Sequence, residues 1–112
     1  MVKILDFVQA LQDGKAAELA DLFSMNAVLH DSSMLKLREE PMHLEGKFAI
    51  EMMFHHKFGF NGGGYKIRAI KCRDENRSWY FIFYGGIVVN VTAQIEERDE
   101  EGKIKRLNIY PL

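Results

Sequence analysis

Two periodicities divide the chain and together predict an α+β domain, with helices covering one face of an antiparallel sheet. Apolar residues recur at the i, i+3, i+4 spacing of helices through most of the N-terminal half, and with a period of two from Tyr65 onward. A length of 112 residues, 47% of them hydrophobic, is enough for one domain over 1–112 with a core of its own.

The first helix carries Ile4, Phe7, Val8 and Leu11 on one face, and "DGK" at Asp13–Lys15 ends it, with Gly14 suited to a left-handed cap. A second helix follows, its buried stripe made of Leu19, Ala20, Leu22 and Phe23, and Asn26 closes it. A strand over Ala27 to His30 runs into Asp31. Residues 32–45 are irregular, with room for a short hairpin around "REEP". The third helix opens after Gly46 and turns Ile50, Met53, Phe54 and Phe58 to one side. "NGGG" at Asn61–Gly64 follows a helix and lacks the lysine and hydroxyl of a phosphate loop, so it reads as a connector.

Four strands come next: "YKIRAIKC", "SWYFIFY", "IVVNVTAQIEE" and "KIKRLNIY", joined by the turns "DENR", "GG" and "DEEG". The Gly85–Gly86 turn sets Tyr84 opposite Ile87, Ile82 opposite Val89 and Tyr80 opposite Val91. A bulged turn ending at Gly102 sets Leu107 opposite Ile95 and Ile109 opposite Ala93, which matches apolar with apolar. Extending the register through "DENR" puts Ile70 and Cys72 on the face of Trp79, Phe81 and Phe83, and Ala69 and Lys71 on the other.

Composition excludes several functions. Net charge is −1 with the basic residues scattered, so no surface is built for nucleic acid or an anionic membrane. Cys72 is the one cysteine, which rules out an intrachain disulfide and a cysteine zinc site and fits a reduced, cytoplasmic setting. No apolar run reaches membrane-spanning length, and "MVKILDFVQAL" lacks the features of a secretion signal. His55 and His56 are neighbours on a helix, ~100° apart, and do not converge on an ion; His55, at the margin of the Phe54 stripe, can touch a pocket rim. His30 and Asp31 alternate on a strand and so face opposite ways, which argues against a His–Asp dyad. Neither a metal nor an organic cofactor is expected.

In order and spacing, "FVQALQDGKAAELADLFSMNAVLHD", "EGKFAIEMMFHHKFG" and "IEERDEEGKIKRLNIY" resemble the nuclear transport factor 2-like superfamily, in its SnoaL-like and steroid-isomerase branch. The resemblance implies a cone-shaped, curved antiparallel sheet wrapped around three N-terminal helices, the cystatin-like fold, with an apolar pocket at its open end. It places the branch's general base on Asp31. The branch's oxyanion donors fall on Phe7, Phe54 and Val91, which have none to give. Each lost donor is worth ~10²–10³ in rate, so the full steroid-isomerase set is missing.

The implied pocket is lined by Phe7, Leu11, Phe23, Phe54, His55, Phe58, Ile82, Tyr84, Val89, Val91 and Ile109, and the Tyr80–Val91 register offers Tyr80 as a replacement donor. Asp31 is then either a base or a strand-ending turn residue, and Tyr80 either a pocket donor or a core tyrosine. On the opposite face Trp79, Phe81, Phe83, Asn90 and Thr92 have no helix left to cover them, and back-to-back sheet dimers are common in the superfamily, so they are the expected homodimer interface. Two functions stay open. One is a pocket for a small hydrophobic molecule with proton transfer through Asp31, of isomerase, cyclase or dehydratase type; the other is a non-catalytic homodimeric interaction or ligand-binding module.

Overall fold

The structure, a computed structural model, describes residues 1–34, 40–84 and 86–112, Tyr84 by its backbone alone. The hairpin turn expected at "REEP" falls partly outside these residues, as does Gly85. Helix α1 spans Ile4–Asp13, buries Ile4, Phe7, Val8 and Leu11, and ends at Gly14, whose φ of 71° is left-handed. Helix α2, Ala16–Ala20, is shorter than its apolar stripe suggested. Phe23 and Asn26 belong instead to strand β1, Phe23–Asp31. Sheet pairing decides this: Phe23 lies opposite Ile104, whose N–H donates to the Leu22 carbonyl at 2.9 Å.

Strand β2 (Met42–Glu45), helix α3 (Lys47–Asn61) and strands β3 (Lys66–Cys72), β4 (Arg77–Tyr84), β5 (Ile87–Arg98) and β6 (Ile104–Pro111) complete the described elements. The sheet order is β2-β1-β6-β5-β4-β3. Two expectations need correction. The sheet is mixed, because β1 and β6 run parallel while every other pair is antiparallel. The helices do not all precede the sheet, since α3 carries the chain from β2 at one edge to β3 at the other.

One face of the curved sheet packs against α1 and α3. Ile95, Leu107, Leu29 and Leu44 form a buried row across four strands, and burying each such side chain contributes roughly 1.5–3 kcal/mol. The β4–β5 and β5–β6 pairings have the registers that their turns dictated, Tyr80 opposite Val91 and Ile109 opposite Ala93.

Strand β3 departs from expectation. Its register shifts between Arg68 and Lys71, where Ala69 sits at φ 56°, a bulge that reverses the faces beyond it. Lys71 therefore pairs with Trp79 and Cys72 with Ser78, and Ala69, Ile70 and Lys71 all border one groove with Trp79 and Phe81 on the outer face. The "NGGG" connector is tight at its end. A Cβ on Gly64 would collide with the Gln12 carbonyl, so only glycine lets the Tyr65 N–H reach the Leu11 carbonyl, at 2.8 Å, and begin β3 against α1. Among the described residues no helix is long and apolar enough to cross a membrane.

Candidate functional site

Strand alternation decides where Asp31 points. Leu29, two residues earlier, is fully buried on the inner face, so Asp31 also faces inward and His30 outward. Asp31 lies between Met42 of β2 and Ile109 of β6. Ile109 pairs with Ala93 and thus sits one row from the Tyr80–Val91 pair. These side chains close around a cavity of about 40 Å³. Leu11 from α1, Phe54 and Lys57 from α3, and Ser33, Met34, Tyr65 and Ile82 complete its wall.

Ser33 fixes the carboxylate. Its N–H and its hydroxyl both donate to Asp31 Oδ1, at 2.8 and 2.5 Å. Among the described residues no other hydrogen bond reaches Asp31, so Oδ2 has no side-chain or backbone donor there. Burial raises the Asp31 pKa above the ordinary 3.8; the Ser33 bonds and the charges of Lys57 and His30 pull the other way without cancelling it. Tyr80 is 2% exposed, and burial, then the charge of Asp31 and the Tyr65 phenol, push its phenol well up. At neutral pH Tyr80 is a neutral hydrogen-bond donor beside a carboxyl of increased proton affinity. Such a pair can accept a proton and stabilise the oxygen that remains.

The size of the cavity limits what it holds. At about 40 Å³ it has room for about three waters, far below the roughly 300–1,000 Å³ of sites for drug-sized ligands. A molecule that fits inside it has only a few heavy atoms.

Of the residues expected along the wall, Leu11, Phe54, Ile82, Val91 and Ile109 lie on it beside Asp31 and Tyr80. Phe7 and Phe23 do not; their rings pack edge to face, 6.0 Å apart, within the core. Phe58 is one layer behind, against Phe54 and Tyr65. Val89 sits two residues along β5 from Val91 and packs on the core without reaching the cavity. His55, one helical step from Phe54, turns out to solvent. The Tyr84 side chain lies outside the described residues.

Three polar wall residues were not anticipated. Lys57 follows Phe54 by one helical repeat, and Tyr65 precedes Ile67 by one strand repeat, so both could have been found from periodicity. Ser33 stands two residues after Asp31, the spacing at which a carboxylate bonds its own downstream backbone.

The outer face differs from expectation at one residue. Phe81 and Phe83 are 39% and 41% exposed, with Trp79 and Asn90 half-buried. Thr92 is only 1% exposed, flanked in its row by Trp79 and Tyr110, and cannot meet a partner. Its Oγ1 has no hydrogen-bond partner among the described residues.

No protein-family model and no curated protein matches the chain. Solved structures do. A nuclear transport factor 2-like protein of unknown function from Burkholderia xenovorans LB400 superposes with a TM-score of 0.65 at 20% identity, over 96% of this chain and 78% of that one. A SnoaL-like protein of unknown function from Burkholderia thailandensis gives 0.64 at 5% identity, over 97% and 91%. A protein with a cystatin-like fold from Methylobium petroleophilum PM1 gives 0.69 at 15% identity, over 96% and 72%. At these identities the likeness is one of fold: the chain has the nuclear transport factor 2-like, cystatin-like architecture.

Proposed function

We propose that the protein binds a small, mostly apolar molecule carrying one carbonyl or hydroxyl in the Asp31–Tyr80 cavity, and that Asp31 exchanges a proton with it. In this reading the curved sheet closes as a cone around α1 and α3, and the cavity is its ligand seat. Asp31 Oδ2 is the acceptor and Tyr80 the donor to the ligand oxygen, with apolar walls from Leu11, Phe54 and Val91. One observation carries it: a carboxyl whose proton affinity is increased by burial lines a cavity walled mainly by apolar side chains, next to a neutral phenol. The reaction class is isomerase- or lyase-like, in the cytoplasm, where the exposed thiol of Cys72 stays reduced.

The test is hydrogen–deuterium exchange at the α-carbon of small ketones and aldehydes in D₂O, followed by proton NMR. The expected result is exchange faster than buffer with the wild type, and a drop of ~10² or more for Asp31→Asn. Exchange at the buffer rate with no detectable binding across the series would overturn the reading.

The outer face favours a second reading, in which two copies associate through it. Trp79, Phe81 and Phe83, with Val88 at 54% exposure, form an apolar band that no helix covers among the described residues. Sedimentation velocity over a concentration series would show a dimer; a monomer at every concentration would remove it.

A further inference from the structure

Three polar groups at the Asp31 cavity lack a partner among the described residues. Asp31 Oδ2 receives no hydrogen bond there. The Tyr80 hydroxyl makes none either, although the residue is 98% removed from solvent and a buried phenol ordinarily finds a partner. Lys57 is the third. It is half-buried on α3, between the exposed His56 and the buried Phe58, and its ammonium enters no hydrogen bond or ion pair among the described residues. Its charge acts on Asp31, yet the two do not meet, so cation and carboxylate border one cavity without forming a pair.

Building on the proton transfer proposed for Asp31 above, we propose that the ligand is a short-chain α-keto acid, its carboxylate held by Lys57 and its carbonyl oxygen by the Tyr80 hydroxyl. The carboxylate gives Lys57 the charge-assisted bond that the chain does not supply. At the edge of a cavity walled mainly by hydrocarbon, that attraction is stronger than it would be in water. Asp31 sharpens the requirement, because its own negative charge repels an anion unless a cation on the wall offsets it.

The volume sets the spacing. Lys57 and Tyr80 line the same space, which has room for about three waters, so the two oxygen-bearing carbons must be neighbours and the carboxylate sits at the rim. Leu11, Phe54 and Val91 then receive the alkyl end. Asp31 Oδ2 takes the proton from the carbon beside the carbonyl, the electron pair of that C–H bond moves into the enolate, and the enolate oxygen accepts from Tyr80. Reversal returns a proton, or a deuteron from D₂O, to the same carbon.

The experiment compares α-ketobutyrate with ethyl isopropyl ketone, in which a branched alkyl group of similar shape replaces the carboxylate. Binding to the whole chain is followed by the ¹³C signals of Lys57 Cε and the Asp31 carboxyl, and exchange of the ethyl CH₂ group in D₂O by proton NMR. The expected result is that the keto acid binds about tenfold tighter than the ketone, shifts Lys57 Cε and exchanges faster than in buffer. Lys57→Met should bring the preference for the acid close to one, acting through KM more than kcat, and Lys57→Arg, which keeps the charge, should restore part of it. Equal binding of acid and ketone, or a preference that survives Lys57→Met, would overturn the keto-acid assignment, while exchange of the ketone would still uphold the cavity as a site of proton transfer. Keto acid bound through Lys57 but exchanging at the buffer rate would do the reverse, upholding the anion seat and overturning the proton transfer. Absence of binding by either compound would overturn both. The wild-type comparison decides the matter even if a variant folds poorly.

Discussion

Tyr80 and Phe81 are consecutive on β4 and both aromatic, yet one is 2% exposed and the other 39%. The difference lies in what covers each face. Tyr80 points toward α1 and α3 and becomes part of a cavity wall, whereas Phe81 points to a face that no helix covers among the described residues. Strand alternation alone assigns them, so the inner face holds the core and the cavity while the outer face leaves apolar area uncovered among the described residues.

The sharpest way to break this comparison is to remove hydrocarbon from each face in turn. Ile82→Ala, on the inner face, should cost about 2–5 kcal/mol in urea denaturation. Phe81→Ala should change the stability of the dilute, monomeric chain by about 0.5 kcal/mol or less. Equal costs would mean that the outer face is packed within the chain after all. Next in size is the effect on association. Exposed aromatic anchors are worth about 2 kcal/mol or more in an interface, so Phe81→Lys with Phe83→Lys should convert a dimer to a monomer in sedimentation velocity while leaving the far-ultraviolet circular dichroism spectrum unchanged.

A third prediction concerns the inner face and pH. The folded carboxyl of Asp31 has a raised pKa, so it holds its proton more tightly than the unfolded chain does, and ionising it opposes folding. That penalty is complete above the folded pKa and vanishes as pH falls below the ordinary value of 3.8. Asp31→Asn, which keeps an acceptor for Ser33, should therefore stabilise the chain at neutral pH by about 0.5–2 kcal/mol, the gain fading on acidification. A destabilised variant at neutral pH would show that the charge is better solvated than the cavity allows. A small gain belongs to the bulge that gives Lys71 to the outer face: Ala69→Gly relieves a positive φ and should add about 0.5–1 kcal/mol to thermal stability.

Much of this was legible in the sequence, for physical reasons that differ by element. The β4–β5 and β5–β6 registers were readable because tight turns leave few pairings and one face must be apolar. That Asp31 faces the pocket was implied by the family resemblance, and the buried Leu29 two residues earlier sets it on the inner face by alternation. Phe23 was misplaced on a helix because its assignment depends on Ile104, a partner eighty-one positions away that no local pattern reveals. The β3 bulge was invisible because nothing about "RAIK" marks Ala69 for a left-handed conformation. Phe7 and Phe23 were expected at the pocket, but which buried rings meet a void and which meet each other is fixed by packing depth, and periodicity reports only the face.

The most direct test of the central claim is a ¹³C NMR titration of the Asp31 side-chain carboxyl in the folded wild-type chain. The account predicts a midpoint above the ordinary aspartate range, lowered when Phe54→Ser opens the apolar wall to water. A midpoint at or below 3.8 would show a solvated turn residue and would contradict the reading of this cavity as a site of proton transfer.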